Sequence, residues 1–139
     1  MSFEEKGTWL YGVLLIAMPA LYLATVLGQV AAVPVTEIEY QSALIAAIVG
    51  TIILSIIGMI VIGISSPREA GQAGQRDKDI NRLGEYVGGI VLAVGMVVPF
   101  GLAMLEVPYF WIANAMFLTF VVAGLCGTIV KLVLYRRGF

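Results

Sequence analysis

Four long stretches without charged residues divide the chain. They cover residues 7–36, 40–67, 86–105 and 107–130. A hydrocarbon core of ~30 Å takes ~20 apolar helical residues to cross, so each stretch is long enough to span a bilayer. Lipid offers no partner to an unpaired backbone group, which makes helices the expected spanning form. We therefore predict an all-α, polytopic four-helix transmembrane bundle. It forms a single transmembrane domain over residues 1–139, with spans at about 9–27, 43–64, 86–105 and 110–134 and a cytoplasmic loop at 65–84.

Composition agrees with this pattern and removes several functional classes. Hydrophobic residues make up 60% of the chain and charged residues 12%, about half the ~25% charged share of soluble domains. The sequence has no His and one Cys, which argues against zinc sites and His-based catalysis. We find no phosphate-binding loop or nucleophile–base pair, so we expect no enzyme and no cofactor. A net charge of −1 disfavours nucleic acid as a partner.

The distribution of Lys and Arg predicts the orientation. The eight basic residues lie before the first span, in the 65–84 loop or at the end of the fourth span, and the other two loops carry only acidic charges. This bias places both termini in the cytoplasm. Seven of the basic residues are expected to orient the protein and to contact anionic headgroups. They are Lys6, Arg68, Arg76, Lys78, Arg82, Arg136 and Arg137.

A shift of 77 residues partly superimposes the two halves of the chain. Gly7 then falls on Gly84, and the Gly-Thr-Ile sequence that starts at Gly50 falls on the one that starts at Gly127. One interpretation is two repeated helical hairpins in parallel orientation, as in some transporters. The other is chance similarity between apolar segments that draw on few residue types.

Several residues in or near the spans are candidates for function. Glu85 and Lys131 lie near the inner interface at similar depth. Two interpretations are an ion pair across helices and a part of a proton relay. Pro19 and Pro99 fall near the middle of their spans, where each frees a backbone carbonyl and either bends the helix or offers an ion ligand. Asn114 is the costliest polar residue to expose to lipid. It predicts an interhelical hydrogen bond or a shallow outer vestibule.

Small residues recur at helical spacing in three of the spans, where they let helix backbones approach closely. The same spacing serves packing within the chain and packing between copies. These positions are Ala46, Gly50, Gly58, Gly84, Gly88, Gly95, Gly124 and Thr128.

The cytoplasmic segment 76–83 mixes both signs of charge at helical spacing. It predicts an extension of the third span, with pairs between Asp79 and Arg82 and between Arg82 and Glu85. Its charges suit either a cytoplasmic partner or anionic headgroups. On the opposite face, the three acidic loop residues would bind a divalent cation only if they converged.

Five segments carry a resemblance to a known group of proteins. They are Met1–Lys6, Arg76–Ile80, Gly84–Tyr86, Phe110–Ala115 and Tyr135–Gly138. Together they resemble a family of small four-span prokaryotic membrane proteins, of actinobacterial type and of unknown function, with an Arg-Asp-x-x-Ile cytoplasmic motif. The resemblance implies four spans in a prokaryotic plasma membrane, and it implies no activity.

Three functional hypotheses follow from these observations. The leading one is an accessory or interaction protein that acts by helix packing with itself, as a homo-oligomer, or with a larger membrane complex. The small-residue positions and the missing catalytic groups motivate it. The first alternative is a small transporter or channel that works as an oligomer, based on the mid-span prolines, the repeat and Asn114. A further alternative is a membrane sensor that signals through the cytoplasmic loop.

Overall fold

The computed structural model describes residues 2–30, 32–68 and 74–138, so residues 69–73 of the predicted cytoplasmic loop lie outside it. The described residues form helices and turns without β-strands. The helices are α1 (Phe3–Val30), α2 (Gln41–Ser65), α3 (Gln75–Gly95), α4 (Val97–Met104) and α5 (Tyr109–Arg137), with a short 3-10 helix at Val35–Glu37.

Four helical segments are long and apolar enough to cross a membrane, which confirms the predicted fold class. Their mean hydropathy over the most apolar window is between 2.1 and 2.9, and α3 and α4 together form one of them over Gln75–Met104. The helices extend past the predicted spans at the end where the chain carries its basic residues. There α1 begins at Phe3 and α3 at Gln75. We call this the charged end.

The third span is interrupted at Met96, between α3 and α4. Pro99 has no N–H to donate to the carbonyl of Gly95, four residues earlier. The hydroxyl of Thr119 on α5 lies 3.5 Å from that carbonyl oxygen, and its shorter hydrogen bond, of 2.8 Å, goes to the carbonyl oxygen of Ala115 in its own helix. Pro19, by contrast, lies inside α1, which continues as one helix through it. The third span therefore breaks near its proline and the first does not, and the carbonyl freed by Pro99 lies against Thr119 of α5.

The helices pack in the spatial order α2, α1, α5 and then α3 with α4. The first two spans form the hairpin α1–α2, and the last two form a hairpin in which α3 and α4 pack on α5. The two hairpins are joined by packing of α1 against α5. At the end opposite the charged end, an apolar cluster ties α1, α2 and α5 together. Its buried members are Tyr22, Val26, Ile38, Tyr40, Ala47 and Phe110.

The glycines of α3 and α5 hold these two helices in backbone contact. A methyl group added at Gly127 would lie 2.8 Å from the carbonyl oxygen of Gly84, and one added at Gly88 would lie 3.2 Å from that of Ala123. Gly95 faces the Thr119 side chain in the same interface. The predicted small-residue positions on these helices are therefore used inside the chain.

Other small residues pack in the α1 interfaces. Gly50 and Gly58 of α2 receive the side chains of Met18 and Leu10, while Gly124 of α5 receives that of Leu15. Thr128 is buried and its methyl group faces Gly12 of α1.

Ala46 does not take part in packing within the chain. Ala46 is exposed, and the next residue, Ala47, is the one buried against the apolar cluster. The two residues point about 100° apart around a helix that makes 3.6 residues per turn. Gly50 and Gly58 of the same predicted set do pack on α1, so only Ala46 of the three faces away from the rest of the chain.

The 77-residue offset is not preserved in the packing. Gly84 contacts Gly127 across its hairpin, whereas their counterparts Gly7 and Gly50 contact Met59 and Met18 instead. The connections differ accordingly, because residues 31–40 separate α1 from α2 and only residues 105–108 separate α4 from α5. Residues that match in sequence therefore occupy different positions in the two hairpins.

Candidate functional site

A long apolar groove lies between α2 and α5, with α1 as its floor. Its volume is about 700 Å³. On α2 it extends from Leu44 to Ile56, which is about 18 Å at 1.5 Å per residue. The groove exists because α2 and α5 both pack on α1 while their own contact is concentrated in the apolar cluster. The residues that line it are Tyr11, Leu15, Pro19, Leu44, Ile48, Thr51, Ile52, Ser55, Ile56, Ala113, Met116, Phe117, Phe120 and Val121.

Two hydroxyl groups of α2 line this groove. The Thr51 hydroxyl donates to the carbonyl oxygen of Ala47 at 2.7 Å, a bond within its own helix. The Ser55 hydroxyl is enclosed and has no hydrogen-bond partner among the described residues. A polar group without a partner in apolar surroundings raises the free energy of the protein, by roughly 1–3 kcal/mol on mutational scales. The groove therefore has apolar walls, and the Ser55 hydroxyl oxygen is enclosed within its α2 side.

Asn114, the intramembrane polar residue of the sequence analysis, is held inside the chain. Its amide nitrogen donates to the carbonyl oxygen of Phe110 at 2.7 Å, and its amide oxygen accepts a hydrogen bond from the hydroxyl of Tyr22. The Tyr22 ring also contacts that of Phe117 edge to face, with centroids 5.3 Å apart. This contact locks α1 to α5. Sequence reasoning missed Tyr22, although a phenol within a span is itself a signal that a polar partner lies nearby.

Glu85 and Lys131 meet across α3 and α5, with Lys131 Nζ 2.6 Å from Glu85 Oε1. The side chain of Lys131 is 15% exposed and that of Glu85 is 77% exposed. The lysine stem crosses α3 directly over Gly84, where an added methyl group would overlap Lys131 Cγ. The arrangement is an ion pair at the edge of the helix pair, with the lysine methylenes packed on glycine.

A second polar network joins three chain segments at the charged end. One carboxylate oxygen of Asp77 accepts hydrogen bonds from the Tyr135 hydroxyl at 2.8 Å and the Ser2 hydroxyl at 3.3 Å. The neighbouring Arg76 donates to the carbonyl oxygens of Leu134 and Tyr135 at 3.4 and 3.1 Å. These carbonyls belong to the last turn of α5, where a positive charge is favourable. The start of α3 is thereby fixed to both the start of α1 and the end of α5.

Two more of the seven predicted headgroup residues have partners inside the chain. Lys6 donates to the Ser66 hydroxyl at 2.7 Å. Arg136 Nε lies 3.6 Å from Glu5 Oε1, and its guanidinium lies over the ring of Trp9. The remaining four, Arg68, Lys78, Arg82 and Arg137, are exposed.

The predicted pairs of Arg82 with Asp79 and Glu85 do not form within residues 2–30, 32–68 and 74–138. Asp79 accepts a hydrogen bond from the Gln75 side chain at 2.9 Å, and Glu85 binds Lys131. Helical spacing allowed Arg82 to reach both carboxylates, but each has another donor.

Among the described residues, no group of three or more His, Cys, Asp or Glu side chains is arranged to hold a metal ion. The acidic loop residues Glu37, Glu39 and Glu106 therefore do not converge. Glu106 takes a left-handed backbone conformation, with φ of 55°, in the tight connection between α4 and α5.

The groove between α2 and α5, with its apolar walls, offers a binding surface to an apolar molecule or helix. Comparison of this chain with protein families, curated proteins and solved structures finds no match.

Proposed function

We propose that this chain is a small, non-catalytic protein of a prokaryotic plasma membrane that works by packing against another transmembrane helix. That helix belongs to a second copy or to a larger membrane complex. The observation that carries the proposal is the apolar groove between α2 and α5, with a volume of about 700 Å³.

The physics of helix association in lipid supports this choice. Lipid tails are as apolar as the side chains they touch, so association depends on close packing and hydrogen bonds instead of the hydrophobic effect. A groove about 18 Å long offers a helix more contact than a flat helix face does.

We further propose that both termini face the cytoplasm. The described basic residues gather at the charged end, where both termini also lie, since Ser2 bonds to Asp77 and Arg136 pairs with Glu5. The charged residues in the loops at the opposite end are all acidic. This asymmetry is the usual one for a cytoplasmic face.

The transport alternative rests on the mid-span prolines, the repeat and Asn114. Asn114 is bonded to Tyr22 and to Phe110 within the chain. The Gly95 carbonyl lies 3.5 Å from the Thr119 hydroxyl in the interface with α5. Packing between helices is a sufficient role for both groups, which is why we favour the interaction role.

The sensor alternative has one observation in its favour. Asp77 and Arg76, at the end of the cytoplasmic loop, bind the start of α1 and the end of α5. A cytoplasmic partner that pulled on the loop would therefore act on both terminal helices. The Asp77 variant described in the Discussion tests whether this network is the structural link.

The test of the leading proposal is native mass spectrometry of protein gently extracted from its source membrane. The informative variant is Ser55→Leu, which fills part of the groove and removes the hydroxyl. The matched control is Thr25→Leu, because Thr25 is an exposed α1 residue outside the groove whose hydroxyl bonds to Leu21 of its own helix. We expect the wild-type chain and the control to retain a partner at fixed stoichiometry.

Ser55→Leu should lose most of that partner while the chain stays folded. A wild-type chain that emerges as a lone monomer would contradict the proposal. So would equal retention of partner by both variants. Ion or dye flux from proteoliposomes of the lone monomer would favour the transport alternative instead.

A further inference from the structure

One ridge of α3 is charged at one end and apolar at the other, as a phospholipid molecule is. Residues four apart on a helix form a continuous ridge, and here the ridge consists of Lys78, Arg82, Tyr86, Ile90 and Val94. Two cations come first, an amphipathic ring follows, and two aliphatic residues end it. All five residues are exposed.

This ridge points away from the rest of the protein. The face of α3 that packs on α5 contains Gly84 and Gly88, which touch the backbone of α5. Tyr86 and Val94 of the ridge are 66% and 68% exposed. In a membrane, this side of α3 is therefore the side that lipid reaches.

The two cations of the ridge are free to bind an external anion. The carboxylates next to Arg82 are engaged, Asp79 by the Gln75 amide and Glu85 by Lys131. Within the described residues, neither Arg82 nor Lys78 makes an ion pair or a side-chain hydrogen bond. Other basic residues at this end differ, because Arg76 is bonded to α5 carbonyls and Arg136 to Glu5.

A shallow cavity of about 310 Å³ opens beside these residues, lined by Asp79, Arg82, Leu83 and Tyr86. It places a guanidinium, a phenol and the Asp79 carboxylate, which accepts from the Gln75 amide, around one space at the level where aromatic residues mark the membrane interface. Arg binds phosphate well because its planar fork presents several N–H donors. The space is thus suited to a phosphate group at headgroup depth.

We propose that this ridge is a binding site for one anionic phospholipid. Arg82 and Lys78 hold the phosphate, Tyr86 marks the interface, and an acyl chain lies along Ile90 and Val94. The rise from Arg82 to Val94 is about 18 Å, close to the ~15 Å that one leaflet contributes to a ~30 Å core. This inference stands on α3 alone and does not depend on the groove between α2 and α5.

The test is a lipid titration of delipidated, detergent-solubilised protein, with thermal unfolding and native mass spectrometry as readouts. The probes are dioleoyl-phosphatidylglycerol and dioleoyl-phosphatidylcholine. We expect the wild-type chain to bind phosphatidylglycerol more tightly. Lys78→Gln and Arg82→Gln should each weaken that binding about fivefold, in line with the contribution of one basic residue near an anionic surface.

The control variant is Arg137→Gln, because Arg137 is an exposed arginine of the same end that lies outside the ridge. It should leave phosphatidylglycerol binding unchanged. Equal affinities for the two lipids, or an equal loss in Arg82→Gln and Arg137→Gln, would overturn the proposal. Inorganic phosphate that reproduced the whole stabilisation would also overturn it, because it would show a free-phosphate site without a role for the acyl chain.

Discussion

The close contact between α3 and α5 predicts a large effect from a single methyl group at Gly127. In Gly127→Ala, the new methyl would lie 2.8 Å from the Gly84 carbonyl oxygen and 3.7 Å from the Gly88 Cα atom. The obstacle is helix backbone, so the two helices must move apart. Overpacking of this kind costs about 1–3 kcal/mol, while the better helix propensity of Ala returns up to ~1 kcal/mol. We expect a net loss of about 1–2 kcal/mol.

The matched control is Gly89→Ala, in α3 itself. Gly89 has no neighbouring atom within 4 Å of the position that a methyl group would take. It should gain up to ~1 kcal/mol from helix propensity alone. The assay is unfolding of each variant in detergent micelles titrated with sodium dodecyl sulfate. If Gly127→Ala were as stable as the wild-type chain or as Gly89→Ala, the backbone contact between α3 and α5 would be refuted.

Four further variants, in three experiments, test the polar contacts. In a double-mutant cycle, the losses of unfolding free energy in Tyr22→Phe and Asn114→Leu should depart from additivity by about 0.6–1.7 kcal/mol, because both variants remove the same interhelical bond. Strictly additive losses would contradict that bond. Glu85→Gln should cost less than about 1 kcal/mol, because the Glu85 side chain is 77% exposed, and a larger loss would show that Lys131 depends on it. Asp77→Asn should speed proteolysis near the N-terminus by weakening the bonds from Ser2 and Tyr135; unchanged cleavage would show that Asp77 does not hold the N-terminus.

The number and place of the spans could be predicted because they depend on local properties. A stretch without charges that is long enough to cross the bilayer is visible without knowledge of its neighbours. The contact between Glu85 and Lys131 could also be predicted, because span order placed the two residues at one depth. The position of Pro99 likewise predicted which backbone carbonyl loses its hydrogen bond.

Interhelical partners could not be predicted, because they depend on which faces meet. Tyr22 finds Asn114, and Asp77 finds Tyr135, only after α1 and α3 have both packed on α5. The spacing of Ala46, Gly50 and Gly58 did not show which of them pack inside the chain, where the two glycines contact α1 and Ala46 is exposed. In a helix whose residues are apolar all round, hydrophobicity does not distinguish the packed face from the lipid-facing one.

The central claim is that the groove between α2 and α5 holds a helix from outside the chain. It is tested most directly by photocrosslinking in the intact membrane. A photoreactive residue at Ile52 lies in the groove, and one at Ile53 lies on an exposed surface of α2 outside it. We predict a discrete protein adduct from position 52 and lipid adducts alone from position 53. Lipid adducts alone at both positions would contradict the account.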